Sequence, residues 1–259
     1  MNNAPRIIEE TGDFAVVYKP SRMHSAPQKE NNSDTLFEWY KAIFPEVYDM
    51  MHRLDFETNG LILFAKNEIS YNFFKSLQDK GEFVKEYSAG VFINSSGERP
   101  AGFPPAPAFS SLDPSKEKPA AIESFFRPYG PGRKLVRPVI EDGKKHREVA
   151  ADKGRFYRTE ITSIDANVFT VQIKRGFRHQ IRCHLCWAGF PILNDPLYGT
   201  VPASGEPVSC NEVSCATVAQ QRKFPAQLAL RAHALFFKDP SSGIKREYRM
   251  ESLLEKEAF

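Results

Sequence analysis

The sequence predicts an α+β fold with a mixed, largely antiparallel sheet and flanking helices, on three observations. Strand-like segments outnumber helical ones. The two kinds do not alternate regularly, which disfavours a doubly wound parallel sheet. Near the end, residues 228–237 and 245–250 flank Asp239-Pro-Ser-Ser-Gly243, a turn sequence suited to a closing strand pair. The 259 residues are read as one catalytic-type domain, 1–259, long enough to bury a core without disulfide or metal staples.

In chain order, residues 14–18 form a short apolar strand that Lys19-Pro20 ends, since proline cannot donate to a ladder. Ser33-Asp34 is placed as the cap of a helix carrying Leu36, Trp39, Tyr40 and Ile43, stopping near Pro45. Leu61 to Ala65 is a near-continuous apolar run, hence a strand buried on both faces. From Glu68 to about Lys80, Ile69, Phe73, Phe74 and Leu77 have helical spacing, and Gly81 closes the helix. Residues 86–93 alternate, with Tyr87, Ala89, Val91 and Ile93 on one face, as a strand does. Residues 94 to about 119 hold prolines at 100, 104, 105, 107, 114 and 119, so this stretch reads as a loop; 94–154 as a whole reads as a Pro-rich and basic insertion. Strand signals resume at 158–164 and 168–173, a helix runs from about His179 to Ala188 with Gly189 closing it, and a Ser/Cys/Gly-rich loop spans about 200–218.

No apolar run approaches the roughly 18 residues a membrane helix needs, and the first residues lack a signal-peptide pattern, so a cytoplasmic protein without membrane partners is expected. Net charge is only +3, from 35 Lys+Arg and 32 Asp+Glu. Its distribution is uneven: between Arg127 and Arg158 ten basic residues face four acids. Clustered cations interleaved with Phe125, Phe126, Tyr129, Phe156 and Tyr157 suit a phosphate backbone and unstacked bases, although a merely solvated basic face is the competing reading. Cys183 and Cys186 form a C-x2-C pair, and Cys210 and Cys215 a C-x4-C pair, spacings that a zinc site also uses. The first pair lies in an amphipathic helix where small buried thiols are ordinary, and no metal is assigned.

The most informative segment is His52-Arg-Leu-Asp-Phe-Glu-Thr-Asn-Gly-Leu-Ile-Leu-Phe-Ala-Lys66, which compresses ionisable residues into a loop just before a buried strand. It resembles the signature of the RluA-type pseudouridine synthase family, close to H-R-L-D-x-x-T-S-G-L-L-L-F-A-K. Further matches follow in order. Tyr18-Lys-Pro-Ser21 with His24-Ser-Ala-Pro27 is similar to that family's N-K-P-x-G, and Lys85-Glu-Tyr-Ser-Ala89 to its K-x-Y-x-A. Gly176-Phe-Arg-His-Gln-Ile-Arg-Cys-His-Leu185 and Gly189-Phe-Pro-Ile-Leu-Asn-Asp-Pro-Leu-Tyr-Gly199 resemble G-R-x-H-Q-I-R-x-H-L and G-x-P-I-x-G-D-x-x-Y-G. Leu230-Arg-Ala-His-Ala-Leu-Phe-Phe resembles L-H-A-x-x-L-x-F. Five ordered matches are far more specific than one short motif.

The resemblance implies a sheet of the pseudouridine synthase type and the isomerisation of uridine to pseudouridine in structured RNA, large-subunit ribosomal RNA or transfer RNA. It implies no metal and no organic cofactor. A monomer is expected, with no separate small RNA-binding domain ahead of the catalytic one. Asp55 matches the family's essential aspartate, and a carboxylate can serve as nucleophile or stabilising anion when uracil leaves ribose. Arg182 is implied to pair with Asp55; such a pair at about 4 Å contributes about 4 kcal/mol before desolvation. Tyr87 matches the tyrosine that lies against the target base. Arg53 would fill the gap left by a flipped nucleotide, Arg178, His179 and Gln180 would line the RNA side of the pocket, and Lys19 of the Lys-Pro motif is assigned with them to RNA binding. His52 and His184 are expected to be structural, hydrogen-bonded histidines. The basic insertion is expected to grip an RNA stem, with deletion of 125–152 as its test.

This chain departs from the pattern at Asn59 for Ser, Phe177 for Arg, Asn194 for Gly and Tyr18 for Asn. Two other readings therefore stand beside the enzyme. One is a catalytically inactive RNA-binding protein that retains the fold, favoured by Phe177. The other is a carboxylate-pair glycosidase using Asp55 and Glu57.

Overall fold

The computed structural model describes residues 4–28, 34–92, 99–105, 120–140, 156–199 and 227–250. Among these residues it has an α+β fold with a mixed, mostly antiparallel sheet and three α-helices, the class the sequence predicts. The chain divides into two compact units, one of Met1–Ser88, Thr170–Gly176 and Leu230–Leu254, the other of Ala89–Phe169, Phe177–Ala229 and Glu255–Phe259.

In the first unit, β1 (Arg6–Glu10) and β2 (Phe14–Lys19) pair antiparallel, and β2 continues onto β4 (Asn59–Ala65) with Val16 opposite Leu63. A two-residue strand, β3 (Asp49–Met50), also pairs with β4. Every residue of β4 is buried, as its uninterrupted apolar run predicts. On its other edge β4 runs parallel to β10 (Leu230–Lys238), with Asn59 opposite Arg231 and Gly60 opposite Ala232. The backbones come so close there that a Cβ on Gly60 would sit 2.2 Å from the Ala232 carbonyl oxygen, and Gly60 has φ +132°. Strand β10 then turns through 239–243 to pair with β11 (Lys245–Arg249), the predicted hairpin. Beyond β10 lie β5 (Val84–Gly90) and β9 (Val168–Ile173), each of which crosses into the second unit at one end.

Helix α2 (Glu68–Lys80) starts in a reciprocal cap between Asn67 and Ser70 and ends at left-handed Gly81. It buries Phe74 and Leu77 against Phe14, Phe83 and Phe237, whose rings meet edge to face at 5.3–5.9 Å. Helix α1 (Leu36–Ile43) is capped by Thr35, whose hydroxyl accepts the Glu38 N–H at 3.2 Å. This corrects the predicted cap at Ser33-Asp34: Thr35 is the residue in extended backbone (φ −112°, ψ 157°) with an N–H three positions on, while Ser33 lies outside the described residues.

The second unit holds β6 (Ala120–Tyr129), β7 (Leu135–Val139), β8 (Tyr157–Asp165) and α3 (Gln180–Ala188). Strand β6 pairs antiparallel with β8 through Ala120–Ser124 and with β7 through Phe125–Tyr129. Helix α3 is buried along its whole length, and Cys183 and Cys186 pack with Phe126, Val136 and Tyr198. Burial raises both thiol pKa values, Cys186 to about 12, and Cys183 Sγ lies 3.4 Å from the Val136 carbonyl, so both are protonated core groups. Cys210 and Cys215, like the basic residues between 141 and 155 and the loop at 200–218, fall outside the described residues.

The stretch read as an insertion therefore contains two paired strands with a buried face, Ile122, Phe126, Val136 and Pro138. Its prolines are tolerated for a geometric reason. Val136 N–H and C=O both bond Tyr198 Oη (2.8 and 3.2 Å), so they point away from β6. Pro128, opposite Val136, likewise turns its nitrogen away from β7, beyond the Ala120–Ser124 stretch that β8 pairs. Deleting 125–152 would remove this core and would not report on RNA binding alone. Among the described residues no helix is long and apolar enough to cross a membrane.

Candidate active site

Asp55 sits on the turn that feeds β4. Thr58 N–H donates to the Asp55 carbonyl at 3.1 Å, closing the turn through the backbone. The segment after β2 clamps this turn residue by residue. Ser25 Oγ donates to Leu54 O (2.8 Å) and accepts Leu54 N–H (3.0 Å). Ser21 Oγ donates to Glu57 O at 2.7 Å, and Arg22 N–H donates to Phe56 O at 2.8 Å from a left-handed backbone. A loop gripped on both sides of one acidic residue holds its carboxylate in a narrow range of positions.

Lys19 completes the clamp. Its side chain is buried, and Nζ donates to Pro20 O (2.9 Å), Met23 O (2.7 Å) and Phe56 O (3.3 Å). Burial lowers its pKa to about 7 against the opposing pull of Asp55 and Glu57. The RNA-binding role read for Lys19 from its motif is thereby corrected: all three donors of the ammonium are used inside the protein, and a 0% exposed cation presents nothing to a phosphate. Glu57 lies on the same turn, with Arg22 Nε 3.6 Å from its carboxylate.

Tyr87 comes from β5 and is 5% exposed. Burial raises its pKa, and the Asp55 carboxylate raises it further, so carboxylate and phenol lie within electrostatic reach of each other. Lys85, two residues earlier and on the same face of β5, is also buried; its Nζ donates to Lys174 O at 3.1 Å, and burial lowers its pKa to about 8. The opposite face of β5 carries Glu86, which meets His233 Nε2 (3.0 Å), Arg249 (2.8 Å) and Gln172 (2.7 Å). Burial would raise the Glu86 pKa, yet these partners outweigh it and hold the carboxylate at about 2. His52 accepts Leu63 N–H on Nε2 at 3.3 Å, and burial, with Lys85 adding, keeps it neutral. Arg53, between half-buried His52 and buried Leu54, is exposed.

In the second unit, Arg182 is buried and bonds Asp195 in a fork, Nε to Oδ2 at 2.8 Å and an amino group to Oδ1 at 2.7 Å. Asp195 also accepts the Leu197 and Tyr198 N–H groups at 2.8 and 3.1 Å. The sequence did not single out Asp195 or the Ser21 and Ser25 clamp; their only signal was position inside quoted motif segments. Asn194 has φ +59°, which explains how it replaces a glycine. Gln180 is corrected from an RNA contact to a structural residue: it is 2% exposed, its amide donates to Arg158 O and Thr159 Oγ1, and its carbonyl accepts Phe177 N–H. His179 is half-buried in left-handed backbone at the start of α3, with Nδ1 3.2 Å from Tyr198 Oη. Arg178 is exposed and bonds the Arg133 and Leu135 carbonyls. Phe177, at the departed arginine position, stacks on Phe126 with centroids 5.1 Å apart and planes 9° from parallel, a packing role. His184 is buried between Ser124 Oγ (2.9 Å) and Thr159 Oγ1 (2.8 Å), and burial lowers its pKa to about 3.

Residues 13–187 match the family model described as RNA pseudouridylate synthase. Ribosomal large subunit pseudouridine synthase D of Escherichia coli is 26% identical over 247 residues, covering 93% of this chain and 65% of that protein. An uncharacterized RNA pseudouridine synthase of Helicobacter pylori is 26% identical over 208 residues, covering 74% of this chain and 55% of that protein. The chain thus spans about two thirds or less of the length of these relatives. Among solved structures, human RNA pseudouridylate synthase domain containing 1 superposes with a TM-score of 0.59 at 18% identity, over 96% of this chain and 84% of that one, and shares the fold.

Proposed function

This chain belongs to the RNA pseudouridylate synthase family, and from that premise we propose that it isomerises uridine to pseudouridine in structured RNA, with Asp55 as the catalytic carboxylate. The observation that carries the proposal is a carboxylate on a turn clamped at Leu54, Phe56 and Glu57, acting on the hydroxyl of a buried tyrosine. Large-subunit ribosomal RNA is the first substrate to test, because that is the RNA named for the Escherichia coli relative.

The reaction breaks the bond between uracil nitrogen 1 and the ribose anomeric carbon, turns the base while it is held, and joins carbon 5 to the same ribose carbon. The Asp55 carboxylate serves as nucleophile or anion in the first step. Arg182 enters as the cation that accompanies it, on the strength of its motif position. The raised pKa of Tyr87 keeps its phenol protonated at neutral pH. The ring then offers a stacking face for uracil, and the hydroxyl can take the carbon 5 proton only by passing its own onward, for which the carboxylate is the suitable acceptor. Arg53, exposed next to the catalytic turn, is suited to stack where the uridine leaves its helix.

The test is a map of pseudouridines in cellular RNA with the gene present, deleted, and restored as wild type or as Asp55→Ala. Loss of a ribosomal RNA site in the deletion, recovered by wild type and not by Asp55→Ala, is expected. Loss of a transfer RNA site would move the substrate. An unchanged map in all strains would overturn the enzyme and favour the inactive RNA-binding reading.

A further inference from the structure

The turn that carries Asp55 has Phe56 and Glu57 at its tip, between the Asp55 carbonyl and the Thr58 N–H that closes it. In the family pattern these are the two unspecified places, so the tip is particular to this chain. Turn tips favour Gly, Pro, Asn, Asp and Ser, each for a backbone reason that phenylalanine does not share. Phe56 is nonetheless 39% exposed there. The turn is held without its ring, because the Phe56 carbonyl accepts Lys19 Nζ at 3.3 Å and Arg22 N–H at 2.8 Å. The ring lies against the His24 imidazole, with centroids 4.6 Å apart and planes 38° from parallel. His24 is itself braced, with Gln28 Nε2 2.9 Å from its Nδ1. Phe56 is thus an aromatic surface on a fixed backbone, backed by a second ring, one residue from the carboxylate. Its surroundings suit a polyanion: within 19–28 and 52–58 the exposed charged residues are Arg22 and Arg53, whereas Asp55 and Glu57 are half-buried. Arg22 Nε also lies 3.6 Å from the Glu57 carboxylate and offsets it.

We propose that Phe56, backed by His24, is the stacking platform for the base next to the target uridine in loop RNA, with Arg22 and Arg53 drawing the phosphate backbone to it. When a nucleotide swings out, its neighbour loses a stacking partner on one side, and an aromatic face replaces that partner. Tyr87, 5% exposed, is too enclosed for this task and remains the ring for the target base itself. Stacking tolerates any base, so the platform sets where the strand lies and leaves the choice of uridine to the pocket. It rests on the RNA reading above and adds the group that holds the neighbouring nucleotide.

The experiment uses a stem–loop RNA with 2-aminopurine beside a loop uridine, a base analogue whose fluorescence falls when it stacks. The full chain carrying Asp55→Asn is the parent, so that RNA binds without turnover, and anisotropy over a series of KCl concentrations gives affinity. Phe56→Ala and Phe56→Leu in that parent are expected to lose the quenching and to bind about 10-fold more weakly. The slope of log affinity against log salt is expected to stay as it was, because stacking releases no counterions. Phe56→Trp is expected to keep both quenching and affinity. Ile69→Ala, which trims an 82% exposed side chain on α2, is expected to change neither. The Phe56 ring is outside the core, so Tm is expected to hold; should Phe56→Ala fold poorly, Phe56→Leu still decides. Quenching that survives Phe56→Ala, or full function in Phe56→Leu, would overturn the platform. Absence of RNA binding by the parent would overturn the RNA reading and the platform together. Quenching that depends on Phe56, alongside no pseudouridine formation by wild type, would uphold the platform and overturn only the enzyme reading.

Discussion

Asp55 and Lys19 occupy one small turn and answer to different physics. Thr58 N–H closes the turn on the Asp55 carbonyl, and Asn keeps the side-chain shape without the charge, so Asp55→Asn is expected to keep Tm within about 2 °C while abolishing pseudouridine formation; a large loss of Tm would show that the carboxylate is structural. Lys19→Met would leave Pro20 O, Met23 O and Phe56 O without their donor while removing the cost of burying an ammonium. A net loss of about 2 kcal/mol follows, read as a Tm lower by about 4–8 °C. Tyr87→Phe keeps the ring and removes only the hydroxyl. It is expected to bind RNA as wild type does and to turn over at least about 100-fold more slowly, which single-turnover kinetics would measure. Equal rates would assign Tyr87 to stacking alone.

At the scale of elements, the parallel contact of β4 with β10 is a very close joint beside the Asp55 turn. A methyl group at position 60 would meet the Ala232 carbonyl oxygen at 2.2 Å, in a backbone region that side chains avoid. Gly60→Ala is expected to separate the two strands and yield a protein without a cooperative thermal transition by circular dichroism; a normal melt would show that the strands can shift. Elements with self-contained signals were legible in the sequence. Helix α2 carries its own cap at Asn67 and stop at Gly81, β4 is apolar throughout, and the 230–249 hairpin contains its turn. Strand β1 was missed because Arg6-Ile-Ile-Glu-Glu10 is an edge strand with little burial. Strands β6 and β7 were missed because the whole of 94–154 was read as a Pro-rich and basic insertion, and only the register shows that the nitrogens of Pro128 and Pro138 face away from the ladder between the two strands. The site divides the same way. Asp55 and Tyr87 could be read from local motifs, but the carbonyls that consume Lys19 come from positions 20, 23 and 56, and the groups that hold Gln180 come from 158, 159 and 177. Local sequence does not state which backbone groups, near or far along the chain, a side chain will meet in the fold.

Across the whole molecule, burial sets the response to pH in one direction over most of the range. Four buried bases have folded-state pKa values below their unfolded ones: His184 at about 3 and His52 well below 6.5, Lys19 at about 7 and Lys85 at about 8, both against 10.5. Each binds fewer protons folded than unfolded between its two values, so stability rises with pH through that window, by up to about 1.4 kcal/mol per pH unit per group. For the histidines the rise ends near 6.5, and for the lysines it runs from about 7 to 10.5. Glu86, held at about 2 against 4.5, adds a loss as pH falls through that acid window. Opposing them are groups whose folded pKa is raised, the Cys183 and Cys186 thiols from 9.0 and the Tyr40, Tyr87 and Tyr198 phenols from 10.0. Their stabilising effect is complete below those unfolded values and is lost above them. The two trends cross at mildly alkaline pH, so stability is expected to peak near pH ~9, above the usual range of about 5 to 8. Urea unfolding at fixed temperature from pH 5 to about 10.5 would show the midpoint climbing past neutrality before it falls. In Lys19→Met the climb between about 7 and 9 should be shallower, because one of its two lysine sources is gone. A midpoint that peaks near pH 6 in both proteins would mean that the two lysines keep their protons in the fold and that the clamp on the Asp55 turn is fully charged at all working pH values.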